Sequence, residues 1–245
     1  MAEYNTMRAA AGSRSAAIDE GLRAHMNKVY GTMSVGMLLT FLVAWAVGTS
    51  PALLSVFRDP ATLQPNILGW IVMFAPLIMV FAFGAAINKL SAAGAQVFFY
   101  GFAAVMGLSM AWIFVAFTGF SIAQVFLVTA IAFAGLSLYG YVTKRDLSGM
   151  GTFLMMGVIG LIVASIINLF IASSALHFAI TIIGVLIFAG LTAYDTQSIK
   201  NEYVQHAGHG DSEWLGKAAI MGALRLYLDF INMFMFLLQL LGNRE

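Results

Sequence analysis

The chain contains no cysteine and is poor in charge: Asp, Glu, Lys and Arg make up only 9% of its 245 residues, against about 25% in a typical soluble domain. The missing cysteine excludes disulfides and Cys-ligated metals. The missing charge excludes a water-facing globular surface, and a net charge of +1 leaves no electrostatic footprint for a nucleic-acid partner. Also lacking near the start is a short apolar core followed by a cleavage site, so no cleaved signal peptide is expected and the first span directs insertion.

Apolar sequence is abundant instead. Hydrophobic residues reach 61% and the mean hydropathy is +0.89. Charge-free or nearly charge-free runs cover Val29–Thr49, Ile67–Ile87, Val97–Phe117, Ile122–Val142, Gly151–Ala172, Ala175–Tyr194 and Ala218–Leu241. Each is close to the roughly 20 residues that cross a hydrocarbon core at about 1.5 Å per residue. A closed barrel would need alternating polar and apolar positions, which runs such as FLVAWAV and LIVASIINLF do not have. The expected fold class is an all-α integral membrane protein with seven transmembrane helices: residues 1–24 form a polar cytoplasmic tail and residues 25–245 the membrane domain.

Loop charge sets the expected orientation. With seven spans, Arg8, Arg14, Arg23, Lys28, Lys89, Lys144, Arg145, Lys200 and Lys217 fall on one side, while Arg58 and Arg244 fall on the other. Basic loops stay cytoplasmic, so the amino terminus is expected in the cytoplasm and the carboxyl terminus across the membrane. Ser15 to Lys28 reads either as a disordered tail or as an interfacial helix with Ile18, Leu22 and Met26 on one face. In the loop QHAGHGDSE, two histidines near carboxylates are read as surface residues of a Gly-rich loop rather than a metal site. Small residues such as Ala130/Ala134, Gly157/Gly160 and Gly184 are read as helix-packing positions, and no internal repeat of the transporter type is visible.

Two acidic residues interrupt otherwise apolar stretches, Asp195 in LTAYDTQSIK and Asp229 in RLYLDFINMF. A carboxylate at membrane depth costs about 3 kcal/mol or more, so it normally faces the protein interior and performs a task. Thr181, Gly184, Thr192, Asp195 and Ser198 share one face of the sixth span at about 100° per residue, and Gly222, Arg225, Asp229 and Asn232 share one face of the seventh. Turning both faces away from lipid brings the carboxyl groups toward each other. Two carboxyls within about 5 Å cannot both ionise cheaply in a low dielectric, so they titrate as a unit. Such a pair could hold one proton, or bind a hard cation such as Ca²⁺ through oxygen; either event changes the attraction between helices.

Depth makes the pairing demanding, since it requires Lys200 to snorkel or the sixth helix to project past the membrane surface. If Lys200 marks the interface, Asp195 lies roughly 8 Å deep, whereas Asp229, counted from Lys217, lies roughly 18 Å deep. The alternative is a neutralised ion pair between Asp229 and Arg225, one turn earlier on the same face.

The pieces AYDTQ and LYLDFINMF resemble the signature of the Bax inhibitor-1 (transmembrane Bax inhibitor motif) family. IDEGLRAHMNKVYGTMSVGMLLT and FAPLIMVFAFGAAINKLS are similar to its bacterial branch, and the likeness extends from Ile18 onward. The resemblance implies a seven-helix fold with the last helix central, and a pH-sensing pair at Asp195 and Asp229 associated with Ca²⁺ leak. In the family a basic residue on the second helix can engage that pair. In GAAINKLS only Lys89 is available, near the helix end, so Arg225 is the expected substitute.

The leading functional expectation is therefore a pH-regulated, Ca²⁺-permeable channel or leak protein of a bacterial inner membrane. Gating is assigned to Asp195, Asp229 and Arg225, with Lys89, Asn232 and Thr192 as secondary candidates. Its partners are the lipid bilayer, Ca²⁺ and protons, and no cofactor is expected. The alternative is a regulatory protein that modulates a membrane protease or a stress response through its polar tail. A proton-coupled transporter is disfavoured by the lack of repeats, and a retinal protein by the absence of lysine from the seventh span. No His/Glu metalloprotease motif or nucleophile–base pair is present, so an enzyme is not expected.

Overall fold

The computed structural model describes the backbone of residues 2–62, 64–207 and 211–244, and side chains within those ranges from Ile18 on. The long helices are α1 (Ala2–Gly48), α3 (Ile67–Ala86), α4 (Ala92–Met110), α6 (Gly119–Val142), α7 (Ser148–Ile171), α8 (Ser174–His206) and α9 (Ser212–Leu241), with short helices α2 (Pro51–Phe57) and α5 (Ile113–Ala116) between them. Seven helical segments are long and apolar enough to cross a membrane. The protein is an all-α membrane protein with no strand among the described residues.

Small polar side chains fix where the helices begin. Ser50, Asn66, Ser91, Thr118, Ser173 and Asp211 each cap a first turn by accepting a backbone N–H. These caps satisfy donors that lipid cannot. Between α7 and α8 the chain reverses through Ala172, whose φ of 52° lies in the left-handed region, while the Asn168 side chain accepts from Ser173 N.

Helix α9 is central, packing against α1, α4, α6 and α8. Its sequence explains the position: Leu226, Tyr227, Asp229, Phe230, Ile231, Met233 and Phe234 are all buried, so it is covered on nearly every side. By contrast α7 buries only Gly151, Leu154 and Leu161 and leaves Leu169 and Phe170 more than 80% exposed. Exposed apolar area on that scale requires lipid rather than water.

Helix α1 runs unbroken from the tail region into the first span, and Leu22 and Met26 join the core cluster. The two ends of the bundle are tied differently. At the end carrying the α8–α9 turn, Glu213 Oε1 accepts from Ala92 N at 2.6 Å and so caps α4. At the other end the carboxyl-terminal segment is held by Thr118 N donating to Asn243 O, Asn243 N donating to Ser121 Oγ, and Arg244 lying over the Phe117 ring.

Candidate functional site

The site lies on the α8–α9 hairpin, whose register follows from a ladder of facing pairs. His206 stacks on Trp214, Glu202 meets Arg225, Ile199 packs over Gly222, and Phe188 stacks on Phe236. In this antiparallel register Asp195 faces Asp229, with the two carboxyl groups close enough to share a proton. A hydrogen bond between them requires one of the two to carry the proton. Asp229 is only 4% exposed, and no N–H or hydroxyl among the described residues donates to its Oδ2. The polar side chain that faces it is another acid, and two acids can satisfy each other only while a proton is shared.

The register brings Asp195 and Asp229 level with each other even though Lys200 lies only five residues after Asp195. Helix α8 continues to His206, and Lys200 Nζ donates to Tyr141 O at 2.8 Å while lying over the Tyr141 ring. Its charge is met by the end of α6.

Each residue of AYDTQ has a separate task. The Ala193 carbonyl occupies the space a side chain at Gly140 would need, which brings α6 against α8, and the Tyr194 ring covers Gly151 on α7. Asp195 meets Asp229. Thr196 Oγ1 donates to Thr192 O and lies 2.9 Å from Ser137 Oγ, which lies 2.6 Å from the Tyr30 hydroxyl. Since a carbonyl only accepts, the chain of protons runs one way, from Tyr30 through Ser137 to Thr196. Gln197 pins the α6–α7 loop, accepting from Leu147 N and donating to Arg145 O, both at 2.8 Å.

On α9, Tyr227 is fully buried between the edges of Phe99 and Phe102. Its hydroxyl lies 2.6 Å from Thr40 Oγ1, which donates to the Gly36 or Ala103 carbonyl. Tyr227 is therefore the donor, and it locks α9 to α1 and α4.

Arg225 does not form the i, i+4 ion pair with Asp229 that stood as the alternative to the aspartate pairing. Its Nη1 bonds Glu202 Oε1 at 2.7 Å across the hairpin, each side chain being 35% exposed, and no Arg225–Asp229 salt bridge forms among the described residues. The guanidinium nonetheless acts electrostatically on both aspartates. Of the secondary candidates, Thr192 donates to Phe188 O and Asn232 to Leu228 O, each within its own helix. Lys89 is exposed in the turn after α3, and no described interaction brings it to the aspartates. His209 of the polar loop lies outside the described residues, as do the side chains of Arg8 and Arg14 in the tail. No group of three or more His, Asp or Glu that could hold a metal is present among the described residues, and two carboxylates alone cannot supply the roughly six to eight oxygens that Ca²⁺ takes.

Glu202 was not among the residues the sequence pointed to, although it lies seven positions after Asp195, two turns along the same face. Ending the sixth span at Tyr194 hid it.

The profile of the family described as "Inhibitor of apoptosis-promoting Bax1" matches residues 22–245. The chain is 46% identical to the inner membrane protein YbhL of Escherichia coli (strain K12), over 92% of this chain and 94% of that protein. It is 44% identical to an uncharacterised protein of Caulobacter vibrioides, over 93% and 92% of the two chains. With an uncharacterised protein of Rickettsia prowazekii the identity is 42%, over 95% of each. A profile match across nearly the whole chain, on a seven-helix bundle whose two aspartate motifs meet at its centre, places this protein in the Bax inhibitor-1 family.

Proposed function

We propose that the protein is a non-enzymatic, pH-regulated ion channel or leak pathway, permeable to Ca²⁺, in a bacterial inner membrane with its amino terminus in the cytoplasm. The observation that carries this reading is that Asp195 faces Asp229 across the α8–α9 hairpin, with Asp229 buried at the centre of the bundle. A shared proton holds α8 to α9 there. Removing it leaves two like charges in an apolar contact, which favours separation of the helices, and the energy involved is of the order that biases a two-state equilibrium. The membrane assignment draws on the seven apolar helices and on the relative named as an inner membrane protein.

Calcium is read as the permeant ion rather than a resident one. The test is Ca²⁺ entry into proteoliposomes carrying the purified chain, measured across a pH series. Flux above that of protein-free vesicles, varying with pH, is the expected result; flux indistinguishable from empty vesicles overturns the reading.

A further inference from the structure

The proposed gate has a further member. Asp195 and Asp229 are acted on by one shared cation, Arg225, yet the guanidinium is bonded to neither. It is drawn instead to Glu202, 2.7 Å away, one helix turn or more nearer the polar α8–α9 turn. Ser198 Oγ also donates to Glu202 Oε1, at 3.4 Å, which steadies the carboxylate on the Asp195 face of α8.

We infer that Glu202 is a positioning residue: it holds Arg225 off the aspartate pair, and by doing so sets the pH at which that pair releases its shared proton. The inference rests on the gate reading above and adds to it an anion that competes with the pair for a single guanidinium.

The groups facing this cluster are few. On α8 they are Tyr194 and Asp195, and on α9 Asp229. From α1, His25 acts on Glu202 and stacks on Tyr203, and Lys28 acts in turn on His25. From α6 the neighbouring polar groups are Ser137 and Tyr141, both engaged with α8 through Thr196 and Lys200. Among these described groups Arg225 is the cation positioned to exchange one carboxylate partner for another. With Glu202 present the bond is half-exposed and made at the mouth of the hairpin. Without it the carboxylate that acts on the guanidinium is Asp195, which lies deeper in the hairpin, where less solvent screens the charge. A cation moved closer favours the ionised form of the pair.

The experiment is an infrared titration of the intact chain in lipid nanodiscs, following the carboxylic C=O band that is lost in the D195N/D229N variant. Glu202→Gln should move the midpoint of that band to lower pH by about one unit or more, and Arg225→Gln should move it to higher pH. In the Arg225→Gln background the effect of Glu202→Gln should largely vanish, because Glu202 acts through the guanidinium. Should Glu202→Gln fail to fold, Glu202→Asp lengthens the ion pair and should give a smaller shift in the same direction. Unchanged midpoints overturn the inference, and so does an equal Glu202→Gln shift with and without Arg225, which would make Glu202 a distant charge only. The band reports the proton and not conduction, so these outcomes are separate from a failure of Ca²⁺ flux, which would remove the channel reading and leave the positioning role standing.

Discussion

At Asp229 the chain buries an acid at the centre of the bundle, facing a second acid, Asp195. Tyr227, two residues earlier, presents the opposite case, a buried polar group whose partners are complete. Its hydroxyl donates to Thr40, which passes its own proton to a backbone carbonyl. Tyr227→Phe should therefore destabilise the protein by only about 1 kcal/mol, since one hydrogen bond is lost and Thr40 keeps its acceptor. A thermal midpoint in detergent measures this, and a loss several times larger would mean that the hydroxyl serves something beyond packing. Both aspartates were legible in the sequence because charge in an apolar run is costly. Glu202 and Thr40 were not, since a carboxylate past a lysine and a threonine in a span each have an ordinary explanation until their partners on another helix are seen.

At the scale of the helix, the apolar runs marked every membrane segment, and the structure moved their ends. The largest change is in α8, which extends to His206, and Lys200 donates to the Tyr141 carbonyl at the end of α6. Small residues divide by what they face. A side chain at Gly140 would meet the Ala193 carbonyl, which belongs to the backbone of α8 and cannot yield cheaply, whereas Gly160 has open space around it. Gly140→Ala should accordingly destabilise by about 1–3 kcal/mol as overpacking does. Gly160→Ala should be neutral or stabilise by up to about 1 kcal/mol through helix propensity. Equal effects of the two substitutions in a thermal unfolding comparison would contradict this account of the α6–α8 contact. Spacing alone could not separate these glycines, because both lie in apolar runs of similar composition and differ only in which neighbour is opposite.

For the molecule as a whole, a central α9 wrapped by α1, α4, α6 and α8 places the paired motifs in the least lipid-exposed part of the bundle. The bias of basic residues predicts which end faces the cytoplasm, and the absence of native cysteine makes the test clean. Ala61→Cys, in the exposed loop before α3, should react with an impermeant maleimide added outside intact spheroplasts. Ser148→Cys, at the exposed start of α7, should react only after lysis. Labelling of both from outside, or of Ser148→Cys alone, would reverse or break the seven-span topology.

The proposed gate would be a property of the whole bundle, because a proton shared between α8 and α9 would matter only if it altered the path for ions. An amide pair at positions 195 and 229 imitates two neutral acids and cannot be charged. The most direct measurement is therefore Ca²⁺ flux across a pH series in proteoliposomes carrying the D195N/D229N variant beside the native chain. The account predicts a flat profile, held at every pH to the flux that the native protein reaches at its acid limit; a native pH dependence in the variant would contradict it.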